Sequence, residues 1–417
     1  MVNETLNPET HAWMRSAEIN KLFAAFPEGE LRFVGGCVRN SLMGREIGDV
    51  DVATTLEPKD VVTALKAAGI KSVPTGIAHG TVTAVVNGEP YEITSLRKDV
   101  ETDGRRAVVA FTQDWAEDAQ RRDLTMNALY ADYDGTLYDP CGEGLSDLKA
   151  RRFRFVGDAS ARVTEDYLRI LRFFRFIAWY GETNADGKAH IDAEALTACR
   201  ENREGLKGLS VERIWSEAKK LLAAPNPSRA VRIMLTNEIL DAVLPEASNA
   251  EGLDLMVALE DRAKLPADSL LRMMAMAARE PIAIAGLCKR LKLSKAEKTR
   301  LMAWVMDSTP LDANASEREK KIAIYKAGGR ALADRAYVRA AGEDDPIAAA
   351  RWISYAELAL GWTPPEFPLT GKDLIAAGSA PGEAMGKKLD ALKALWIKSG
   401  FTADKPKLLM ALTLLGR

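Results

Sequence analysis

The chain has 417 residues, 47% hydrophobic and 28% charged, the balance of an ordinary soluble globular protein with room for about two to four domains. Lys and Arg number 57 against 59 Asp and Glu, a net charge of −2, which excludes a uniformly basic nucleic-acid coat and leaves only a local basic face. No apolar run reaches about 18 residues, the N-terminus has no signal-peptide core, and Cys37, Cys141, Cys199 and Cys288 form no CxxC pair. The expectation is a cytoplasmic protein with free thiols and no membrane span.

In chain order, Leu31–Val34, Val50–Ala53, Thr81–Val86, Tyr91–Ser95 and Val108–Phe111 read as short strands bounded by turn residues. Pro58–Ala68 has helical periodicity and is closed by Gly69. Arg122–Ala131 reads as helix or helix-to-strand. Beyond about residue 150 the pattern becomes helical: Glu165–Tyr180 runs without a breaker to Gly181, and Val211–Ala223 ends at Pro225-Asn226-Pro227. Ser228–Thr236, Leu253–Ala263, Ala267–Arg279, Lys295–Met306 and the stretch Glu317–Leu360 follow, and after the break at Gly361–Pro365 two or three more helices are expected. The fold class is α+β, a mixed-sheet N-terminal part followed by an all-helical remainder.

Chemistry concentrates in four places. Gly35-Gly36-Cys37-Val38-Arg39 combines two glycines, which let backbone approach a ligand, with an arginine able to fork onto phosphate. Asp49 and Asp51 alternate along a predicted strand and so share one face. Two such carboxylates repel, and a hard divalent cation, Mg²⁺, is their natural partner. It would bridge a nucleoside triphosphate and lower the pKa of an attacking 3′-hydroxyl. Glu92, on the strand Tyr91–Ser95, is the candidate third carboxylate.

In Arg121-Arg122-Asp123-Leu124-Thr125-Met126-Asn127 the arginines suit phosphate and the aspartate suits ribose hydroxyls, which makes Arg122, Asp123 and Asn127 nucleotide-binding candidates. In Glu165-Asp166-Tyr167-Leu168-Arg169-Ile170-Leu171-Arg172, Asp166 and Arg169 are three apart on a predicted helix and so share a face, with Arg172 one turn further on. An acceptor beside donors matches cytosine and adenine, which present an amino group beside a ring-nitrogen acceptor. Guanine and uracil present the reverse order, and each polar group left unpaired costs roughly 1–3 kcal/mol. Glu212-Arg213-Ile214-x-x-Glu217 reads as a structural brace for the preceding helix.

Taken in this order, these residues resemble the class II, bacterial-type CCA-adding tRNA nucleotidyltransferases and poly(A) polymerases of the beta-type polymerase superfamily, over about residues 31 to 225. The resemblance implies that Gly35, Gly36 and Arg39 sit at the triphosphate and that Asp49 and Asp51 ligate metal. Arg122 and Asp123 would bind the nucleotide, Asp123 near the ribose, and Glu165, Asp166 and Arg169 would form an amino-acid template for the base. It implies a catalytic head over 1–150, a nucleotide-selecting neck over 151–225, a body over 226–310 and a tRNA-binding tail over 311–417. Lys387, Lys388, Lys393 and Lys398 in that tail are possible phosphate contacts. Asn40 and Tyr167 depart from the family pattern, away from the expected chemistry. His79 reads as a structural loop residue, and the absence of an HD pair implies no phosphohydrolase domain. Arg97–Arg106 is read as a mobile charged loop that favours full CCA addition. The implied activity is template-independent addition of CCA to tRNA from CTP and ATP, with release of pyrophosphate. The alternatives are a poly(A) polymerase, a CC-adding enzyme, or an inactive RNA-binding helical protein. No oligomeric state follows from the sequence.

Overall fold

A computed structural model describes residues 5–77, 80–103, 106–181 and 190–415. The chain divides into two compact units, Met1–Val243 and Leu244–Arg417.

Among the described residues, nine strands precede residue 140: β1 (Leu31–Val34), β2 (Asp51–Thr54), β3 (Lys71–Gly76), β4 (Thr81–Val86), β5 (Glu89–Ser95), β6 (Arg97–Asp103), β7 (Arg106–Phe111), β8 (Tyr130–Ala131) and β9 (Leu137–Tyr138). Seven form one mixed sheet in the order β3-β4-β5-β2-β1-β8-β9. All its pairings are antiparallel except β2 with β5, which run parallel with Asp51 opposite Glu92. Alternation along β4 buries Val82, Ala84 and Val86 and turns Thr81 and Thr83 to the other face. Phe33, Val52 and Ile93 join these residues in the interior, each fully buried.

Helices α1 (Ala17–Phe23), α2 (Gly36–Leu42), α3 (Pro58–Ala67), α4 (Trp115–Gln120) and α5 (Gly144–Ala150) are interspersed with these strands or follow them along the chain. Then come α6 (Ala159–Glu165), α7 (Leu168–Tyr180), α8 (Ala193–Glu201), α9 (Val211–Leu222) and α10 (Ser228–Thr236). The mixed sheet and mainly helical remainder agree with the expected α+β class.

Three local expectations are corrected. Arg97–Arg106 is not an irregular loop: β6 and β7 pair as a two-stranded ribbon from Arg97↔Phe111 to Asp103↔Arg106. Residues 104–105 lie outside the described residues. The helix expected over Glu165–Tyr180 is broken, because Asp166 is extended (φ −152°, ψ 101°) and α7 begins only at Leu168. The Asp166 carboxylate accepts the Leu168 N–H at 3.1 Å, a local bond that competes with helix continuation. Finally, β3, which had no strand signal, is held by β4 through a register shift between Val73 and Gly76.

The second unit is helical: α11 (Ala250–Ala263), α12 (Ser269–Met276), α13 (Pro281–Arg290), α14 (Lys295–Met306), α15 (Glu317–Ala327), α16 (Gly329–Ala341), α17 (Pro346–Gly361), α18 (Gly371–Ala376), α19 (Glu383–Lys398) and α20 (Lys405–Leu415). Arg300 ties Asp268 (2.7 Å) to Asp334 (2.8 Å). Leu374, Leu392, Trp396, Leu408 and Leu412 form the buried cluster of the last three helices. Thr370 and Asp373 make a reciprocal capping box at the start of α18. Lys387, a possible phosphate contact, pairs with Glu383 at 2.8 Å. Among the described residues, no helix is long and apolar enough to cross a membrane.

Candidate active site

The parallel pairing of β2 and β5 sets Asp51 beside Glu92 at one end of the sheet. Asp49 is exposed and lies ahead of β2, so the two aspartates do not share a strand face as the alternation implied. One neighbour is missing there: β1 pairs with β2 only from Leu31 to Phe33 before the chain turns at Gly35 into α2, so β5 alone continues past Asp51. Burial first, and then the charges of Glu92 and Asp49, raise the Asp51 carboxyl above its usual range, while Arg122 pulls the other way.

A cation placed here would relieve that repulsion. Among the described residues, no group of three or more His, Cys, Asp or Glu side chains is gathered into a preformed metal cage. Neighbouring carboxylates on an open rim suit a hard divalent cation that takes its remaining ligands from water and substrate phosphate.

Beside the carboxylates opens a cleft of about 480 Å³. Its lining includes seven arginines, Arg39, Arg97, Arg121, Arg122, Arg169, Arg172 and Arg213, against four acids, Asp51, Glu92, Asp123 and Asp166. Seven minus four leaves three positive charges in excess, a field suited to a polyanion. Gly35 and Gly36 line the same cleft, and Gly35 has φ +69°, a conformation that favours glycine. The Cys37 thiol beneath them is fully buried and pushed up to about 12 by burial, then by Asp51, so it stays protonated at neutral pH.

Asp118, which sequence reasoning missed, organises the arginines. It is 1% exposed and accepts from Arg121 Nε (2.8 Å), Arg122 Nη2 (2.9 Å) and the Tyr130 hydroxyl (2.7 Å). Its spacing of three and four residues from the arginines was the available signal. Nothing local marked Tyr130.

Asp123 and Asn127 line the cleft, but Asp123 is saturated. Its Oδ1 accepts from Leu124 N (2.8 Å) and Asn127 Nδ2 (2.9 Å), and its Oδ2 accepts from Arg172 Nε (2.8 Å) and Nη2 (2.5 Å). A carboxylate offers about four acceptor sites. In this conformation Asp123 therefore anchors Arg172 and its own turn, with no lone pair left for a ribose. Burial raises its carboxyl, but Arg172 and Asn127 outweigh burial and hold it well below the usual range.

Arg39 is likewise engaged. It is 6% exposed and donates to Asn127 Oδ1 (2.5 Å), the Tyr180 hydroxyl (2.6 Å) and Asn40 Oδ1 (2.8 Å). Asn40, expected to stand apart from the chemistry, thus holds the guanidinium of the glycine turn.

Asp166 and Arg169 both line the cleft but do not pair as helix neighbours. Asp166 Oδ2 accepts from Arg213 Nη2 at 2.6 Å. Arg169 Nη1 donates to Glu165 Oε2 (2.6 Å) and to the Arg162 carbonyl (3.0 Å), and its Nη2 donates to the Arg121 carbonyl (3.2 Å). Arg213, expected to be a brace, instead reaches the cleft from α9. The brace is its neighbour Glu217, 2.7 Å from Arg175 of α7. His79 lies outside the described residues.

Residues 31–154 match the Poly A polymerase head domain family, and residues 190–251 match a family described as the probable RNA and SrmB-binding site of polymerase A. The chain is 36% identical to the mitochondrial CCA tRNA nucleotidyltransferase 1 of Danio rerio over 392 residues, which is 92% of this chain and 87% of that one. It is 41% identical to a CCA-adding enzyme of Streptococcus pyogenes over 237 residues, 56% of each chain. Among solved structures, the Bacillus stearothermophilus CCA-adding enzyme in complex with CTP superposes with a TM-score of 0.76 at 27% identity, covering 99% of this chain and 98% of that one. A Thermotoga maritima CCA-adding enzyme complexed with tRNA shares the fold at 18% identity, with a TM-score of 0.65 over 99% of this chain and 97% of its own.

Proposed function

This chain belongs to the family of CCA-adding tRNA nucleotidyltransferases, and from that premise we propose how its cleft adds C, C and A to the 3′ end of tRNA. The observation that carries the proposal is one cleft lined at once by Asp51 and Glu92, by Asp166 and Arg169, and by the remaining arginines. The first pair suits a metal–triphosphate and the second suits a base, so no nucleic-acid template is needed.

Asp49 and Asp51 would hold Mg²⁺, with Glu92 as third carboxylate. When bound, the ion supplies Lewis acidity at the phosphate and acidifies the primer 3′-hydroxyl. The chain's own groups do the rest. Arg121 and Arg122, oriented by Asp118, face the charge that develops as pyrophosphate leaves. Gly35 and Gly36 let backbone close on the triphosphate, and Arg39 secures the turn that follows them. Asp123 fixes Arg172, and Asn127 bridges Asp123 to Arg39. Asp166 accepts from the amino group of cytosine or adenine while Arg169 donates to the adjacent ring nitrogen. The helical second unit is read as body and tail for tRNA. Free thiols at all four cysteines suit a reducing compartment, and we read the protein as cytoplasmic.

The test is primer extension on tRNA lacking its last three nucleotides, with Mg²⁺ and CTP, ATP or both. Both nucleotides together yield ends that stop at CCA. Long adenosine tails from ATP alone would move the protein to the poly(A) polymerases, and arrest at CC would make it a CC-adding enzyme.

Arg213 enters this reading through Asp166. Its charge-assisted bond fixes the direction of the carboxylate, a contribution of about 1.5–3 kcal/mol before solvent screening. Arg213→Ala is expected to raise KM for CTP and ATP by roughly tenfold and to admit UTP and GTP more readily. Steady-state kinetics with each of the four nucleotides checks this. Unchanged selectivity would return Arg213 to a brace.

A further inference from the structure

The residue next to Asp166 does not line the cleft. Tyr167 follows Asp166 directly and caps α7 with helical backbone angles (φ −56°, ψ −17°). Its ring lies against the backbone of Gly205. A Cβ built on Gly205 would fall 2.2 Å from Tyr167 Cδ1, 2.3 Å from Cε1 and 2.4 Å from Cγ. Carbon atoms in contact sit about 3.5–4.0 Å apart, so this ring and any side chain at 205 exclude each other.

The floor under the ring is fixed. Gly205 lies in a short 3₁₀ segment, Arg203–Gly208, and its N–H donates to the Asn202 carbonyl at 3.0 Å. The next residue, Leu206, is fully buried. Arg203, at the start of the segment, pairs with Glu238 at 2.7 Å. The ring is therefore the part that yields, and one peptide bond separates it from Asp166.

We infer that the seat of Tyr167 on Gly205 sets the position of the Asp166 carboxylate, so that both are positioning residues for nucleotide selection. The inference rests on the proposed base-reading role of Asp166. Tyr167 lies in the two-residue link between α6 and α7, so the seat of its ring fixes how far the chain turns before α7 begins. A ring displaced by about 1 Å carries Asp166 with it, and misplacement on that scale is enough to cost about 10²-fold in a catalytic or selective step. Glycine at 205 is thus required by the tyrosine at 167. Where residue 167 is small, residue 205 is free to carry a side chain.

The experiment is a set of full-length variants, Gly205→Ala, Tyr167→Phe, Tyr167→Ala and the double Gly205→Ala/Tyr167→Ala. Each is assayed for kcat and KM with CTP and ATP, for misincorporation of UTP and GTP, and for thermal unfolding. Gly205→Ala is expected to raise KM on the order of tenfold or more and to relax selectivity. Tyr167→Phe, which keeps the ring, should retain wild-type selectivity. The double variant should recover to the level of Tyr167→Ala alone, a coupling that independent sites do not show. Wild-type selectivity in Gly205→Ala, or additive defects in the double variant, would overturn the inference. If Gly205→Ala does not fold, the comparison of Tyr167→Ala with Tyr167→Phe decides: relaxed selectivity in the first alone supports the seat, and equal selectivity refutes it. A wild-type protein that does not prefer CTP and ATP would instead refute the base-reading role of Asp166.

Discussion

Asp49→Ala/Asp51→Ala is expected to lose nucleotide incorporation by at least about 10³-fold, the upper end of what one preorganised electrostatic group supplies, while binding tRNA with unchanged affinity. The size follows from where the residues sit. Asp51 heads a central strand with Glu92 across the ladder, and Asp49 lies close enough for its charge to raise the Asp51 carboxyl. Removing both leaves Glu92 as the lone carboxylate at that edge of the cleft, too little to hold a divalent ion against water. The tRNA-binding surface assigned to the helical unit is untouched. Primer extension measures the first quantity and a gel-shift titration the second. Persistent incorporation would sink the metal assignment, and a parallel loss of tRNA affinity would mean that the defect is not confined to chemistry.

The second large effect is expected at Asp118→Ala, a residue with no direct role in the reaction. Its carboxylate receives Arg121, Arg122, the Tyr130 hydroxyl and, at 3.3 Å, the N–H of Arg97. Truncation leaves an interior guanidinium and phenol without their acceptor, and breaking such a buried pair costs about 3–5 kcal/mol. The arginines that face the triphosphate lose their orientation at the same time, so kcat/KM should fall by about 10²-fold. Denaturant unfolding and steady-state kinetics check the two parts, and a variant with wild-type stability would contradict the arrangement.

The same residue gives a pH dependence with a definite sign. Burial raises the Asp118 carboxyl, but Arg122, Arg121 and Tyr130 outweigh burial and hold it below the usual range. A carboxyl lowered on folding stabilises the native state at neutral pH, and that contribution is lost as the pH falls below the ordinary carboxylate range. Asp118→Ala should therefore flatten the acid limb of the stability profile.

The sequence made the chemistry more legible than its support. Gly35, Gly36, Asp51 and Asp123 were placed at one cleft from residue type over short spans, although the ribose contact expected of Asp123 gives way to its bonds with Arg172 and Asn127. Glu92 was reachable because a strand carrying a lone acid follows the aspartates, although only the parallel pairing puts the two side by side. Asp118 and Tyr130 were missed because the spacing of Asp118 to Arg121 and Arg122 reads as an ordinary helix pair, and its bond to Tyr130 forms only in the folded chain. The break at Asp166 was missed because apolar periodicity counts through a two-residue interruption. An aspartate ahead of an apolar run is itself a helix-start signal, and reading it would have moved the start of α7. Arg213 carried no local mark, since its approach to Asp166 depends on how α9 packs against α7.

The Asp51–Glu92 pairing has a price in folding. Like charges facing each other across a ladder destabilise a sheet by roughly 0.2–1 kcal/mol, and here they lie on two of its central strands. A ligand that neutralises them binds the native state alone, because 41 residues of sequence, 92 minus 51, separate the two acids until the sheet is complete. Substitutions that relieve the repulsion would make a sturdier and silent protein. Selection for stability and selection for activity thus pull in opposite directions at these two positions.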